Sequence, residues 1–269
     1  MLVNSIQEKV NEFISKSPLN IIEHLDTLSS TPNSVEPMKI YELPLIGIAS
    51  AEDSLWDTFK NSNVIGPDHM TPNEWLPGAK SVISYFLPYT ARIRAANRIE
   101  KITATEWLYG RWEGEFLNQA LRQFIIDLFE KNGNSALAPA LDKRFTVKNL
   151  RANWSERHVA FVAGLGTFSL SRSMITAKGA AGRFGSVIVS SSLEPTKRSY
   201  TKFDEYCIKC MACAKRCPPQ AINKLGKDNE RCRIHLSKEK EMYSPRYGCA
   251  KCQTKVPCED RIPIQFGKK

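Results

Sequence analysis

The chain has 269 residues, of which 42% are hydrophobic and 25% charged, an ordinary globular composition that excludes a disordered or fibrous protein. Its formal net charge of +10 is confined to one end, because residues 196–269 carry 18 Lys and Arg against 8 Asp and Glu, whereas the first 195 residues carry 20 of each sign. All eight cysteines lie in that same end, between Cys207 and Cys258. The sequence therefore predicts a neutral domain over residues 1–195 and a basic, metal-binding domain over residues 196–269.

Neither a membrane segment nor an export signal is predicted. No stretch approaches the roughly 18 consecutive apolar residues that a membrane-spanning helix needs. The N-terminal sequence has no basic flank followed by an apolar run. We therefore expect a cytoplasmic protein without membrane contact.

Helix and strand signals follow one another along the first 150 residues. Apolar residues at helical spacing predict an amphipathic helix within the first 30 residues, before Pro18: Leu2, Val3, Ile6, Val10, Phe13 and Ile14. Buried strands are predicted over 45–49 and over 81–87, the second after a Pro-Gly turn at 77–78. A long helix is predicted over 105–131, ended by Asn132-Gly133, with Trp107, Trp112 and Phe116 on its packing face.

Further along, Ser155 is predicted to cap a helix that ends at Gly164. Residues 174–177 and 184–189, joined by the glycine-rich segment 178–182, predict a hairpin. Residues 190–195 are predicted to be a linker. Strands and helices mixed without regular alternation predict an α+β fold.

The cysteine spacing is the strongest motif in the chain. Cys207, Cys210, Cys213 and Cys217, followed by Pro218, form the Cys-x2-Cys-x2-Cys-x3-Cys-Pro run of bacterial ferredoxins, in which the fourth cysteine ligates the other of two 4Fe–4S clusters. The remaining cysteines are Cys232, Cys249, Cys252 and Cys258. Eight thiolates suffice for two clusters. By the ferredoxin rule we assign Cys207, Cys210, Cys213 and Cys258 to one cluster and Cys217, Cys232, Cys249 and Cys252 to the other.

Two other interpretations of the cysteines fit less well. A disulfide framework requires an oxidising compartment, to which no signal directs the chain. Zinc favours separated Cys-x2-Cys pairs with four ligands per site, which the triple run does not supply. Both alternatives are therefore weaker than two iron–sulfur clusters.

The positive charge around the cysteines has two interpretations. Basic residues beside the ligands would balance the negative charge of two clusters: Lys209, Lys215, Arg216, Arg231, Arg233 and Lys251. A nucleic-acid surface is the alternative, although few aromatic residues interleave and no RNA-binding motif is found. A dinucleotide fingerprint is also missing, because Gly164 and Gly166 lack a third glycine and Gly179, Gly182 and Gly185 fall in the predicted hairpin.

Several segments together resemble one family. Residues 154–168, with Glu156-Arg157 and Ala163-Gly164-Leu165-Gly166, resemble a segment of epoxyqueuosine reductases and the related reductive dehalogenases. The Leu-Pro-Gly-Ala run at 76–79, the strand-and-turn segment at 175–189, and the lone cysteine between the two cysteine motifs resemble the same family. The resemblance spans residues 40–262.

The resemblance implies a nitroreductase-like α+β domain that holds cobalamin, followed by a small ferredoxin-like domain with two 4Fe–4S clusters. Electrons would pass through the clusters to the cobalt, whose reduced form acts on a substrate. In family terms, the corrin-binding residues would be Trp154, Arg157, Gly164, Gly166, Thr167, Phe168, Ser169, Ser171, Ile175, Thr176, Arg183, Phe184, Gly185 and Ser186.

The chain departs from the family at several points. The family places an aspartate, as proton donor, several residues before its Glu-Arg pair, whereas residues 149–155 contain no acid. The family's Arg-Asp-Tyr-His motif is missing after Pro88-Tyr89, and Cys252 and Cys258 are two residues further apart than usual. The chain also stops soon after Cys258, so we expect the tRNA-recognising extension to be absent.

Four side chains are candidate proton donors. Glu156, His158 and Tyr109 are the catalytic candidates, and Asp142 is a fourth acid to consider. Glu156 with Arg157 has an alternative interpretation as a local ion pair, His158 as a cobalt ligand, and Trp154 as a core residue.

The predicted function is that of an iron–sulfur, cobalamin-dependent reductase of the epoxyqueuosine-reductase-like group, acting on a substrate other than the usual tRNA. One alternative is an electron-transfer protein that reduces the corrinoid of a partner protein. Another is a tRNA epoxyqueuosine reductase without the extension. The expected partners are a reduced ferredoxin or flavodoxin and either a small-molecule substrate or a corrinoid protein.

Overall fold

The computed structural model describes residues 3–25 and 37–264, including the backbone but not the side chain of Val3. The helices are α1 Val3–Lys16, α2 Leu55–Thr58, α3 Pro72–Trp75, α4 Ala91–Ala96, α5 Thr105–Glu130, α6 Glu156–Val162, α7 Ala212–Lys215 and α8 Asn229–Tyr243. The strands are β1 Ile21–Ile22, β2 Met38–Lys39, β3 Leu45–Ser50, β4 Ser81–Pro88, β5 Ala136–Leu137, β6 Val147–Lys148, β7 Arg151–Ala152, β8 Gly166–Phe168, β9 Met174–Thr176, β10 Gly182–Val189, β11 Ile222–Asn223 and β12 Gly226–Lys227.

A four-stranded antiparallel sheet in the order β3-β4-β10-β5 forms the centre of the fold. All eight residues of β4 are buried, which explains why its sequence is apolar without alternation. Four shorter two-stranded pairs accompany the sheet: β1-β2, β6-β7, β8-β9 and β11-β12.

The two faces of the sheet pack against different helices. Ile83, Tyr85 and Val187 contribute to a hydrophobic cluster with residues of α1 and α5. Their neighbours Val82 and Ile188 contribute to a second cluster, with residues of α6 and three tryptophans. Because side chains alternate across a strand, the sheet is sandwiched between two helical layers, and the predicted mixture of helices and strands is confirmed.

Several predicted elements are found at the expected places. Strands β3 and β4 and the long helix α5 match the predictions, and Gly133 after α5 has φ 74°, as a helix terminator requires. Helix α1 buries Ile6, Val10 and Ile14 but ends at Lys16, because a 3-10 turn starts at Pro18. Leu2 lies outside the described residues.

The predicted hairpin over 174–189 is wrong. Strand β9 pairs with β8, and β10 pairs with β4 and β5. The glycine-rich segment between them instead approaches the C-terminal stretch, where the amides of Ala180 and Ala181 donate to the carbonyl of Glu259 at 3.2 and 3.1 Å. Local turn signals could not reveal the partners of β10, since β4 and β5 are distant in sequence, whereas β8 precedes β9 by a loop of only five residues.

One smaller prediction also fails. Phe116 is 48% exposed and Trp112 only half-buried, so they do not belong to the packing face of α5, unlike the buried Trp107. Segment 190–195, predicted as a linker, contains no helix or strand, but it is packed on the sheet: Leu193 is buried and its amide donates to Ser81 Oγ at 2.9 Å. In the described part of the chain, no helix is long and apolar enough to cross a membrane.

Candidate functional site

Four thiols converge on one pocket. Cys207, Cys210, Cys213 and Cys258, called here the first thiol group, line it together with apolar side chains that include Met211. Burial and then the neighbouring thiols Cys252, Cys207 and Cys210 raise the pKa of Cys213 to about 12. The pKa of Cys258 is raised to about 12 by burial and by Cys213, Cys207 and Cys210. The membership of this group is the one that the ferredoxin rule predicts.

The other four thiols, called here the second thiol group, are Cys217, Cys232, Cys249 and Cys252. Burial raises the pKa of Cys217, and the proximity of Cys232 adds to this effect. Burial likewise raises the pKa of Cys252, with further contributions from Cys232 and Cys217. Cys249 neighbours Cys252. Because Cys252 also interacts with Cys213, the two thiol groups are adjacent.

The arrangement differs from that of a mononuclear metal site. Among residues 3–25 and 37–264, no three or more His, Cys, Asp or Glu side chains are placed to hold a single metal ion. A single zinc draws four sulfurs to about 2.3 Å from one centre. In a 4Fe–4S cube each thiolate binds a different iron, so the cube accepts a more open set of thiols. All eight cysteines are free thiols.

Local backbone geometry gives the cysteine loops their shape. Lys209 and Met211, which flank Cys210, have φ of 53° and 63°. These left-handed residues coil the loop tightly before α7, which carries Cys213. The amide of Ala221 donates to Cys217 Sγ at 3.3 Å, a hydrogen bond of the kind that stabilises a thiolate.

The pocket of the first thiol group is completed from the front region, as residues up to 195 are called here. Ser169, Ser171 and Ile175 line it. The hydroxyls of Ser169, Ser171 and Ser173 form a closed ring, with O···O distances of 2.8, 2.6 and 3.1 Å. Three residues predicted to contact a corrin ring therefore lie against the first thiol group.

Strands β8 and β9 support this wall of the pocket. A Cβ on Gly166 would lie 2.0 Å from the carbonyl oxygen of Ile175, so only glycine lets the two strands approach. Thr167 Oγ1 accepts from the amide of Tyr206 at 2.9 Å, and Thr176 Oγ1 donates to the carbonyl of Gly179 at 2.8 Å. Gly166 and Thr176 thus have structural roles within the front region, and Thr167 joins the front region to the segment that precedes Cys207.

Glu156 lies in a chain of polar contacts beneath the sheet. Trp154 Nε1 donates to Ser186 Oγ at 2.9 Å, and Ser186 Oγ donates to Glu156 Oε2 at 2.6 Å. On its other side, Glu156 Oε1 lies 3.4 Å from a guanidinium nitrogen of Arg122. Arg157 instead donates to the backbone carbonyl of Arg172, so the interpretation of Glu156 and Arg157 as a local ion pair is wrong.

The network continues through Glu115. Arg122 donates to Glu115 at 2.9 Å, and Arg183 pairs with the same carboxylate. Burial acts to raise the pKa of Glu115, but Arg183 and Arg122 lower it by more, so this carboxylate stays charged. Burial raises the pKa of Glu156 above its ordinary value, although Arg122 and Ser186 favour its carboxylate form. The two acids of one network are therefore held at different affinities for a proton.

His158 is held by Ser155, whose Oγ lies 2.8 Å from Nδ1, and by contact with the rings of Phe59 and Phe168. Burial, followed by the charge of Arg157, lowers the pKa of His158 to about 3. The imidazole is therefore neutral near pH 7 and does not carry the second ring proton that an imidazolium could donate.

The other two acid candidates are also occupied. Tyr109 is buried beneath the guanidinium of Arg246, which lies 3.7 Å from the centroid of its ring. Asp142 accepts hydrogen bonds from the side chain and amide of Arg144, which lower the pKa of Asp142 to about 2. Of Glu156, His158 and Asp142, only Glu156 has a raised pKa.

The remaining predicted cofactor residues are dispersed. Trp154 is 1% exposed and stacks on Trp56, with 5.7 Å between ring centroids, as a core residue does. Gly164 ends α6 with φ 80°. Phe184 packs on Phe86, and a Cβ on Gly185 would meet the hydroxyl of Tyr85 at 2.2 Å. The structure therefore supplies packing reasons for these four residues.

Sequence reasoning missed Glu115, Asn118 and Arg122. Asn118 accepts from the Tyr85 hydroxyl at 2.8 Å and donates to Glu115 at 3.2 Å. The three residues lie at spacings of three and four on α5, within an apolar stripe. Polar residues at core positions of a helix are the signal that could have found them.

Asn97, at the end of α4, is a second polar centre that the sequence did not indicate. Its Nδ2 donates to the carbonyl of Cys249 at 2.8 Å, and Lys251 Nζ donates to its Oδ1 at 2.9 Å. Its carbonyl accepts from Thr254 Oγ1 at 3.0 Å and from Arg216 at 3.3 Å. This fully buried asparagine ties the front region to the loops of the second thiol group.

The comparisons with known proteins agree with this geometry. No family model matches the chain. An epoxyqueuosine reductase of Francisella cf. novicida is 29% identical over 224 residues, which are 76% of this chain and 59% of that protein. The chain is similar to epoxyqueuosine reductases. A second one, from Bacillus subtilis, is 28% identical over 249 residues, covering 83% of this chain and 62% of the relative. The chain thus spans about 60% of the length of these epoxyqueuosine reductases.

Solved structures show that the fold is shared. An epoxyqueuosine reductase from Streptococcus thermophilus superposes with a TM-score of 0.52 at 17% identity, covering 98% of this chain and 68% of that one. Another, crystallised with an epoxyqueuosine-modified tRNA-Tyr stem loop, gives 0.51 at 21% identity, over 96% and 66%. A reductive dehalogenase, for which a mechanism of B12-dependent dehalogenation is suggested, gives 0.54 at 14% identity, over 82% and 30%.

Proposed function

We propose that the protein is an iron–sulfur oxidoreductase that passes electrons through two 4Fe–4S clusters to a bound corrinoid and so reduces a substrate. The observation that carries this proposal is the separation of eight free thiols into two adjacent groups of four, the first of which faces residues of the front region. Two clusters in contact form a short path for electrons, and the front region supplies the acceptor at its end.

The thiol groups fit the chemistry of the clusters. The first thiol group would hold one 4Fe–4S cluster and the second thiol group the other, within a ferredoxin-like domain over residues 196–269. The apolar part of the first pocket's lining, with Met211, Val256 and Pro257, limits the access of water to one side of the thiol group, although Cys210 is exposed. Arg157, Ser169 and Ser171 lie on the neighbouring front-region side, where a corrin ring would bind.

A bound corrinoid supplies a cobalt centre that takes up electrons and passes them to a substrate. The chain's own residues supply position and a proton. We propose Glu156 as the proton donor, because its raised pKa favours the protonated form and Ser186 links it by hydrogen bonds to Trp154. Arg122 and Arg183 lower the pKa of Glu115 beside it, so Glu156 is the acid of the pair that binds a proton more readily.

The substrate is proposed to differ from that of the tRNA-bound relative. The segment before Glu156, where the resembled family carries an acid, forms the β6-β7 hairpin with Leu150 at its exposed turn. Residues 149–155 contain no acid that could donate a proton. The chain has the eight cysteines of the electron path but lacks the family's acid, so we propose that the reaction at the end of this path differs.

A specific observation supports a second candidate. A relative of the same fold is crystallised with a tRNA stem loop, so tRNA is the competing substrate. The basic residues 196–269, called here the cysteine region, would attract its phosphates. Binding of tRNA with a steep salt dependence and turnover of an epoxide on it would favour this candidate over a small-molecule substrate.

The decisive test is anaerobic reconstitution with iron and sulfide, followed by titration with cob(II)alamin. We expect about eight iron and eight sulfide per chain, as two clusters require. Electron paramagnetic resonance should then show a stoichiometric change of the cobalt signal on binding. Full iron content without any cobalt change would reduce the proposal to a two-cluster electron carrier. Failure to take up iron would remove it.

The role of Glu156 is tested by Glu156→Gln, with Asp142→Asn as the matched control. Loss of the proton donor should lower turnover about 100-fold, while iron content and the cobalt signal stay unchanged. Asp142→Asn should leave turnover near the wild-type value, because the low pKa of Asp142 keeps it charged. Equal turnover by Glu156→Gln and wild type would exclude Glu156 as the donor.

A further inference from the structure

The β11-β12 hairpin presents an apolar side chain to solvent. Leu225, at its two-residue turn, is 98% exposed, and Lys224 beside it is also exposed. The hairpin runs directly into α8, where Arg231 and Ile234, the latter 46% exposed, follow within ten residues. We define Lys224, Leu225, Lys227, Arg231 and Ile234 as the docking patch.

The docking patch lies over the second thiol group. The base of the hairpin is anchored by the hydrogen bond from the amide of Ala221 to Cys217 Sγ. Lys227 is an electrostatic neighbour of both Cys217 and Cys252. Cys232 lies on α8 between two residues of its exposed turn. The first thiol group faces the front region through Ser169 and Ser171, and it reaches solvent at Cys210.

Charge selects the kind of partner. The cysteine region, residues 196–269, carries a formal +10, of which two oxidised clusters with their thiolates would offset about four units, leaving about +6. A surface of this sign attracts acidic partners and speeds their encounter.

The composition of the docking patch favours a protein over a nucleic acid. Arg231 lies 3.7 Å from Asp228, and the neighbouring Arg233 forms a 2.9 Å hydrogen bond with Glu230. Carboxylates so close to these cations offset part of their charge, so a purely anionic phosphate backbone gains less at this place than a protein surface, which offers both signs. An exposed leucine at the tip gains nothing from phosphates but gains free energy by burial in a protein interface.

We propose that the docking patch receives an acidic one-electron carrier protein, which donates electrons to the cluster held by the second thiol group. This inference rests on the proposed function. In each encounter the reduced carrier loses one electron and the cluster gains one, and no atom is transferred. Electrons therefore enter at the solvent side of the cysteine region and leave through the first thiol group toward the front region.

The test measures binding of the reconstituted full chain to two acidic carriers, a flavodoxin and a bacterial ferredoxin, by isothermal titration calorimetry at low and at physiological salt. We expect at least one carrier to bind at low salt. Leu225→Asp should lower the affinity at least about fivefold. Lys224→Glu should also lower the affinity, and binding to this variant should depend less on salt than binding to wild type. Lys131→Glu makes the same charge change at the exposed C-terminal end of α5 in the front region, and this variant should bind the carrier with wild-type affinity.

A second readout is reduction of the clusters followed by absorbance. Dithionite, a small reductant, should reduce wild type and Leu225→Asp at equal rates, whereas the reduced carrier should reduce the variant more slowly. Two results would overturn the inference: no binding of either carrier at low salt, or equal weakening by Lys131→Glu and Lys224→Glu. Tight binding of unmodified tRNA, lost in Lys224→Glu while carrier binding persists, would assign the patch to nucleic acid instead. Iron content, measured separately, shows whether the proposed function itself has failed.

Discussion

The front region and the cysteine region are stabilised in different ways. The front region buries a central sheet on both faces, and the whole of β4 is inaccessible to solvent. In the described part of the cysteine region, the only buried hydrophobic residues are Tyr200, Ala221, Ile222 and Val256. Helix α8, with 15 residues, buries one side chain, that of Glu239. The comparison indicates that a core stabilises the first region, whereas the second region needs another source of stability, which the proposed clusters would supply.

The largest expected effect is therefore that of removing iron. Without clusters, the amides of α8 should exchange with solvent within seconds, while those of β4 and β10 keep their protection. The reason is that binding free energy of a metal site that forms only on folding is itself folding free energy. Hydrogen exchange with mass spectrometry, on reconstituted and iron-free protein, makes the measurement. Equal protection of α8 in both forms would contradict the comparison.

The second prediction concerns the stability of the front region. Arg122→Met removes the buried cation that the half-buried Glu115 and Glu156 share, while Glu115 keeps its pair with Arg183, so the free energy of unfolding should fall by about 3 kcal/mol. Urea denaturation followed by tryptophan fluorescence measures it. The control is Arg144→Met, since Arg144 is 40% exposed and its pair with Asp142 should contribute at most about 1 kcal/mol. Similar losses in both variants would show that the buried network has no special importance.

Asn97→Ala probes the connection between the two regions. The variant removes the donor to the carbonyl of Cys249 and one of the two acceptors of Lys251 Nζ, which keeps its 3.1 Å hydrogen bond to the backbone carbonyl of residue 97. We expect a loss of about 2–3 kcal/mol, because unsatisfied buried polar groups cost about 1–3 kcal/mol each. Faster exchange of the loop at 249–254 should accompany it, with β10 unaffected. Asn134→Ala, at an exposed turn, is the control and should change neither property.

Replacement of His69 should have the smallest effect on stability, and it tests the front region alone. The ring is 1% exposed, neither nitrogen has a hydrogen-bond partner among the described residues, and burial lowers the pKa of His69 to about 4. The unfolded chain takes up a proton below pH 6.5 and the folded one only near pH 4, so folded-state stability falls as the pH drops between these values.

His69→Phe should remove this loss, which amounts to about 2 kcal/mol at pH 5. Urea midpoints at pH 7 and pH 5 measure the difference. Because His158 is also neutral in the fold, both proteins should retain some loss in acid. A variant with the same decrease as wild type between pH 7 and 5 would contradict the assignment to His69.

The sequence predicted well where local patterns dominate. Strands β3 and β4 and the long helix α5 follow from apolar runs and periodicity that lie within a few residues of each other. The prediction for α5 was wrong at Phe116, which is exposed. By spacing alone, its position on the helix cannot be distinguished from the positions of the residues that pack.

The parts that could not be predicted depend on distant partners. The pairing of β10 with β4 joins residues about 100 apart, and the hydrogen bonds of Asn97 reach residues more than 100 positions away. For Glu156 the sequence named the residue but not its partners, because Arg122 and Ser186 come from different elements. A single chain carries no local signal for such contacts.

The left-handed residues of the cysteine region have one more consequence. Of the nine non-glycine residues with positive φ in the described chain, five lie between Cys207 and Cys258: Lys209, Met211, Gln220, Ala250 and Lys255. Each such residue costs free energy that the rest of the fold must offset. If the metal were lost, these loops would relax, and thiols only three positions apart would be exposed to oxidation. Damage by oxygen would then be hard to reverse, because disulfides formed in the relaxed loops would keep them from regaining the shape that binds iron.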